Sequence, residues 1–209
     1  MTMISVSLVS IPANTALGDA TMYAEAASVC DPLRPAVPDE PIIPAIGADG
    51  TLFPIGKLKA HQDGTLHLAI SVFVFCGSRL LIQQRAASKY HCGGQWANTC
   101  CTHPHWNESL DASAARRLQE ELGLNLTLVP TQVLDYRAAV SDGLIEHERV
   151  QVYRADVPQP DLPFRLDPDE VAAVAWVEVE ALKADARTNP DRYAPWFMIY
   201  LSRWDELNL

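Results

Sequence analysis

Apolar and polar positions along the chain repeat with changing periods, and the changes outline its elements. Residues 1–40 are rich in Ala, Ser, Thr and Pro and keep a period of neither 2 nor 3.6, so they read as an N-terminal extension of uncertain order. From Pro41 the pattern tightens. Apolar groups at 42–46 and 52–55 flank Asp49-Gly50, a dipeptide suited to a tight hairpin turn. Residues 66–76 are apolar on both alternating faces, as a central strand covered on two sides must be, and 79–84 is its natural partner. Residues 109–122 lack Gly and Pro, begin with Ser109 as a cap and stop before Gly123, which predicts a helix. Ala115, Leu118 and Leu122 would form its buried stripe. Further strands are predicted at 126–129, 132–138, 145–155 and 171–177. A C-terminal helix is predicted to begin at Pro195 or at Asn189-Pro190, with Phe197, Met198, Leu201 and Trp204 on its core face.

With 209 residues, the chain suits one sizeable domain, here 41–209, with a full hydrophobic core. Apolar residues at 48% and charged residues at 20% exclude a disordered, collagenous or coiled-coil chain. A formal charge of −10 argues against nucleic acid or an anionic membrane as partner, so any phosphate site must be a local cluster of basic residues. Five cysteines, two of them adjacent, make no disulfide framework and fit a reducing compartment. No Lys or Arg precedes Arg34, so a secretory n-region is missing, and no apolar run is long enough to span a membrane. A cytoplasmic protein, monomeric or homodimeric, is expected.

Three clusters carry chemistry. The run 102–124 nearly matches the Nudix pattern, with Glu108, Arg116, Leu118, Glu120, Glu121, Gly123 and Leu124 at the required spacing. Thr102 stands where that pattern has Gly, and Arg117 where it has Glu. Such a loop and helix present carboxylates to a hard divalent cation, which binds diphosphate oxygens in turn. Arg117 and Glu121, four apart on one helix face, either grip a phosphate together or form an ion pair on a solvated surface. Just upstream, Cys101 lies two residues from His103, and a thiol there is either an inert packing group or an acid, base or nucleophile. In the predicted strand at 145–155, period-2 geometry aims Glu146 and Glu148 at one face with Val150 and Val152, which favours an interior pair needing a cation. Together with His61, His67 and His103 these two acids would make a mixed nitrogen and oxygen cage suited to Mn2+ or Zn2+ more than to Mg2+ alone.

The combination of His61 and His67, the run Asn98-Thr99-Cys100-Cys101-Thr102-His103-Pro104, a Nudix-type helix with Arg-Arg at 116 and 117, and the Glu-x-Glu strand resembles the type I isopentenyl-diphosphate isomerases. These are the metal-dependent, Nudix-fold branch, and the similarity runs from about Pro41 to Trp204. The resemblance implies an α+β protein, an α/β/α sandwich with a mixed β-sheet. It implies an isomerase of isoprenoid biosynthesis interconverting isopentenyl and dimethylallyl diphosphate. A Nudix diphosphate hydrolase and an isomerase of a modified prenyl diphosphate are the alternatives. It further implies Cys101 and Glu148 as the proton-transfer pair, Tyr136 orienting the acid and Trp196 facing the carbocation. Metal ligands are implied at His61, His67, His103, Glu146 and Glu148, and a substrate-linked Mg2+ at Glu121. Lys57, Arg85, Lys89 and Arg117 correspond to the family's diphosphate-binding cations. No flavin is expected, because the reaction moves protons and leaves the oxidation level unchanged.

This chain departs from the family pattern at three places. Cys92-Gly93-Gly94-Gln95 replaces a loop with an aromatic residue, Pro and Gly ahead of Trp96. His147 and Arg149 replace an amide and an apolar residue, with side chains expected to point away from the acids provided no bulge intervenes. The interval from His61 to His67 is one residue tighter.

Overall fold

A computed structural model describes residues 7–10, 21–24, 40–89, 91–140 and 143–209. Its spine is β5 (His67–Cys76), of which all residues but Leu68 are buried because helices cover both sheet faces. On one edge β5 pairs in parallel with β10 (Ile145–Asp156), which in turn pairs antiparallel with β9 (Val129–Ala139). On the other edge lie β6 (Arg79–Arg85) and β11 (Val171–Glu178), both antiparallel to their neighbours. The sheet is therefore mixed, as expected. Two short strands, β7 (Trp96–Ala97) and β8 (Cys100–Thr102), attach to β6 and β5 and carry the thiol loop into the sheet.

The predicted hairpin is present as β3 (Ile42–Ile46) and β4 (Leu52–Gly56), turned at Gly50, whose φ of +83° suits a residue without a Cβ. Within 1–40, β1 (Ser7–Ser10) and β2 (Thr21–Ala24) pair with each other, and β2 pairs with β11. That adds strands where no period was legible. The remainder of 1–39 lies outside the described residues.

Helix α2 (Leu110–Leu122) packs on one sheet face through Ala114, Leu118 and Leu122 against Ile70, Val72 and Trp176. Ala115 is exposed, so the buried stripe runs through positions four apart and the sequence assignment was one residue off. Ser109 caps α2 by accepting from the Ala112 N–H at 3.2 Å, and Gly123 ends it at φ +71°. A Cβ at Gly123 would come within 2.6 Å of Arg165 Cβ, so glycine is required there on two counts. The opposite face is covered by α3 (Val179–Thr188) and α4 (Pro195–Ser202), whose Leu182, Trp196, Phe197 and Tyr200 join Phe73, Val150 and Ala175 in the second core. This is the α/β/α sandwich.

Several element boundaries differ from the sequence reading. Residues 126–128 are irregular, and β9 is one strand starting at Val129. Leu126 and Leu128 pack on the core without joining a ladder, which explains their strand-like hydrophobicity. Asn189-Pro190 opens only a single 3-10 turn, and Pro195 starts the C-terminal helix. Trp204 lies beyond that helix in a second such turn. Helices α1 (Lys57–Asp63) and α3 were not anticipated, because neither starts with a capping side chain. Among the described residues, no helix is long and apolar enough to cross a membrane.

Candidate active site

Strand register assembles the carboxylates. Glu148 on β10 lies opposite His67 on β5 and opposite Tyr136 on β9, so one residue is held from both sides. Glu146, Glu148, Val150 and Val152 are all buried, and the register is unbroken from Ile145 to Gln151. The two departures from the family pattern therefore point away from the acids. Arg149 pairs with Asp135 at 2.7 Å, and His147 donates through Nδ1 to the Gly64 carbonyl at 2.9 Å.

His61, His67, His103, Glu146 and Glu148 each offer one ligand atom, and these atoms lie within 4.8 Å of one another. Helix α1 folds His61 back until its ring is 4.9 Å from that of His67, so the tighter interval does no harm. Backbone carbonyls fix two tautomers. His61 Nδ1 donates to Lys57 O at 2.6 Å and His67 Nδ1 to Thr65 O at 2.7 Å. In the neutral rings this leaves both Nε2 lone pairs aimed inward, as a metal ligand requires. His61 Nε2 faces Glu146 Oε2 at 3.1 Å, and the buried His67 Nε2 makes no hydrogen bond and sits 3.7 Å from Glu148 Oε1. Lone pairs confronting carboxylate oxygens call for a positive charge between them. Without metal, burial lowers the His61 pKa, but Glu146 outweighs it and raises the pKa. His103, pushed well below its usual value by burial and by the Lys57 charge, is neutral, with Nε2 at 2.7 Å from Glu148 Oε1. The mixed imidazole and carboxylate donor set fits a divalent metal cation.

Beside this cluster, Cys101, Tyr136, Glu148 and Trp196 line one cleft. Cys101 is brought there by the pairing of β8 with β5, where it lies opposite Ser71, while its neighbour Cys100 turns to the other face and packs under α2. Burial pushes the Cys101 thiol up to about 12, with Arg85 only partly opposing, so it keeps its proton. Burial would also raise Glu148, yet its polar neighbours, the Tyr136 hydroxyl among them, hold it at about 2. Tyr136 donates to Glu148 Oε2 at 2.6 Å, and burial together with that carboxylate keeps the phenol protonated. Trp196 is pinned where α4 starts, next to Ala194, whose N–H donates to Trp96 O at 2.9 Å. The Arg85 guanidinium lies 5.1 Å from its ring centroid, so this indole already accepts a cation.

Lys57, Arg85, Lys89 and Arg117 line the same cleft with Glu121. The Arg117–Glu121 pair is real, at 2.9 Å, but Glu121 is only 4% exposed, so the pair faces the cleft and no solvated surface. The neighbouring Glu121 and Glu170 outweigh burial and hold Arg117 firmly charged, while desolvation and the other cations lower Lys57. Of the other acids of the Nudix-type run, Glu108 in the loop before α2 is taken by a bidentate Arg116 at 2.6 and 2.8 Å, and Glu120 on the helix by Arg116 and Arg117. Of the acids on α2, Glu121 is the one that lines the cleft.

Three participants were missed. Glu170 bridges Lys89 and Arg117, both at 2.7 Å; Gln83 donates to Glu121 Oε2 at 3.0 Å; and His91 reaches Glu146 Oε1 at 3.0 Å. The acidic run 167–170 was the only signal for Glu170, and nothing in the spacing marked the other two.

A mixed sheet between helix layers, with a helix that turns a carboxylate into the cleft, is the architecture of a NUDIX-type domain, and the NUDIX domain family matches residues 65–197. A crystal structure of a Deinococcus radiodurans protein superposes with a TM-score of 0.63 at 13% identity, covering 78% of this chain and 98% of that one. The MutT protein of Methanosarcina mazei gives 0.52 at 17% identity, covering 67% and 93%. At these identities the likeness concerns the fold alone. In sequence, the isopentenyl-diphosphate Delta-isomerase of Rhodobacter capsulatus is 50% identical over 165 residues, 78% of this chain and 93% of that protein. The protein of the same name in Cereibacter sphaeroides is 52% identical over 155 residues, 74% and 87%. The chain belongs to the isopentenyl-diphosphate Delta-isomerase family of the NUDIX fold.

Proposed function

We propose that this enzyme interconverts isopentenyl and dimethylallyl diphosphate by adding a proton to one carbon of the alkene and removing one from another. The observation that carries this reading is the convergence of Cys101, Glu148 and Trp196 in one buried cleft next to four cations. An unactivated alkene is a weak base, and its protonation yields a tertiary carbocation that water would capture, so the cleft must exclude water. Trp196 presents its π face to that cation, and Tyr136 orients the Glu148 carboxyl through their hydrogen bond. Cys101 and Glu148 give and take the two protons; a thiol that keeps its proton opposite an ionised carboxylate supplies one donor and one acceptor in the resting site. One proton enters and one leaves, so no redox cofactor is needed.

Lys57, Arg85, Lys89 and Arg117 would hold the diphosphate, and its binding energy is available to close the site. His61, His67, His103, Glu146 and Glu148 would hold Mn2+ or Zn2+, and Glu121 a substrate-linked Mg2+; these ions supply positive charge that balances buried carboxylates and diphosphate. The activity is assigned to 41–209, since every residue of the cleft lies there, with 1–40 as an extension. Four free thiols among the described residues support a reducing, cytoplasmic place of work.

A Nudix hydrolase would need its helix acids for metal, whereas here Glu108 and Glu120 are engaged by arginines and position 117 is basic. The test is incubation with isopentenyl diphosphate and Mg2+ in deuterated water. Deuterated allylic product is expected; release of inorganic phosphate without it would overturn the assignment.

A further inference from the structure

His91 stands outside the five-residue cage, yet it touches three working parts of the cleft. Its Nε2 lies 3.0 Å from Glu146 Oε1, its ring is 5.8 Å from Trp196, and its backbone carbonyl accepts from Arg85 Nη2 at 3.2 Å. The side chain is 7% exposed and Glu146 is 3% exposed, so the contact is shielded from solvent. A carboxylate can only accept, so as a hydrogen bond this contact puts the proton on His91 Nε2, leaving no lone pair there for a metal; the similar contact of His61 differs because the Lys57 carbonyl already holds the His61 proton on Nδ1. Glu146 thus has His61 on one oxygen and His91 on the other. Two histidines with opposite duties flank one carboxylate: His61 turns a lone pair inward, its Nδ1 proton held by the Lys57 carbonyl, whereas His91 turns a proton inward.

We propose that His91 is a positioning residue for the cage: its Nε2–H fixes the rotamer of Glu146 so that the other carboxylate oxygen is presented to the cation. Hydrogen-bond partners behind a metal ligand orient it and set its basicity, and their loss costs about 10- to 100-fold in affinity or activity. The ring contact with Trp196 and the carbonyl contact with Arg85 give His91 a fixed seat, so the donor arrives at Glu146 already oriented.

The inference rests on the reading of the five residues as a cation site, and the experiment separates the two. Mn2+ binding to the metal-stripped full-length protein is measured by titration calorimetry and by the Mn2+ paramagnetic signal, for wild type, His67→Ala, His91→Phe and His91→Gln. His91→Phe keeps a ring against Trp196 and loses the donor; His91→Gln keeps a donor of similar reach and loses the ring. Wild type is expected to bind one Mn2+ that His67→Ala loses, His91→Phe to bind it about tenfold more weakly, and His91→Gln to stay within threefold of wild type. If wild type binds no Mn2+, or His67→Ala binds it as well as wild type, the cation site itself is refuted. If the site stands and His91→Phe binds normally, or His91→Gln is as weak as His91→Phe, the positioning role is refuted. Thermal unfolding of the metal-free variants reports any folding defect; should His91→Phe be unfolded, His91→Ala replaces it under the same criteria.

Discussion

Replacing Tyr136 by Phe isolates the orientation of Glu148 from everything else in the cleft. The ring packs edge-on to Tyr200 with centroids 5.8 Å apart, and Phe preserves that packing, so no cavity opens. What disappears is one hydrogen bond of 2.6 Å between a buried phenol and a buried carboxylate. Hydrogen bonds to charged groups contribute about 1.5–3 kcal/mol. If that is felt in full at the transition state, kcat falls roughly 10- to 150-fold, at 1.36 kcal/mol per decade. KM should hold within about twofold, because the proposed diphosphate grip, Lys57, Arg85, Lys89 and Arg117, includes none of the lost atoms. The variant also removes one of the groups that hold Glu148 low, so the acid limb of the kcat profile should move to higher pH. Steady-state conversion of isopentenyl diphosphate, followed by proton NMR from pH 3 to 9, measures all three. A kcat within threefold of wild type, or a loss carried wholly by KM, would refute an orienting role for Tyr136.

Cys101→Ala and Glu148→Gln are each expected to abolish turnover, with a near-ultraviolet circular dichroism spectrum like that of wild type; normal rates in either would refute its role. Glu170→Gln removes the anion that sits 2.7 Å from both Lys89 and Arg117 and competes with a diphosphate for them. Pyrophosphate should therefore inhibit this variant about three- to tenfold more tightly, since a partly buried charge that opposes the ligand has been neutralised. Weaker inhibition would mean that Glu170 orients the cations. Hydrogen bonds from Arg116 hold Glu108 at about 2, well below its ordinary value of 4.5. Its stabilising effect is thus complete above about pH 5, declines as the pH falls below the ordinary carboxylate range, and is gone at about 2; partial exposure limits it to about 1–2 kcal/mol. Denaturant melts of wild type and Glu108→Gln should differ at pH 7 and converge by pH 2–3. A gap that widens on acidification would contradict this sign.

What the sequence made legible and what it hid divide along a physical line. Period-2 alternation placed Glu146 and Glu148 together on the interior face, and the capping signals of Ser109 and Gly123 bounded α2, since both effects are local in the chain. The thiol, the cage and the cations were placed through family resemblance, and the structure brings all of these residues to one cleft or its border. Helix α1 was hidden because its seven residues start at Gly56 without a side-chain cap; pairing and packing of the neighbouring hairpin hold it in place. The hydrophobic run at 126–128 misled because burial alone does not distinguish a strand from a packed loop. His91, Gln83 and Glu170 act across separations of 55, 38 and 81 residues, and no local pattern encodes such a contact.

The buried strand β5 gives the cleft a mechanical foundation, because His67 belongs to it and Glu148 and Cys101 are both laddered onto it. Amide protons along that strand will exchange with solvent deuterium only as fast as the whole molecule opens. The proposed proton-transfer pair therefore has no private route to disassembly: heat or denaturant that leaves the sheet intact should leave the enzyme competent, and inactivation and global unfolding are expected to share one midpoint.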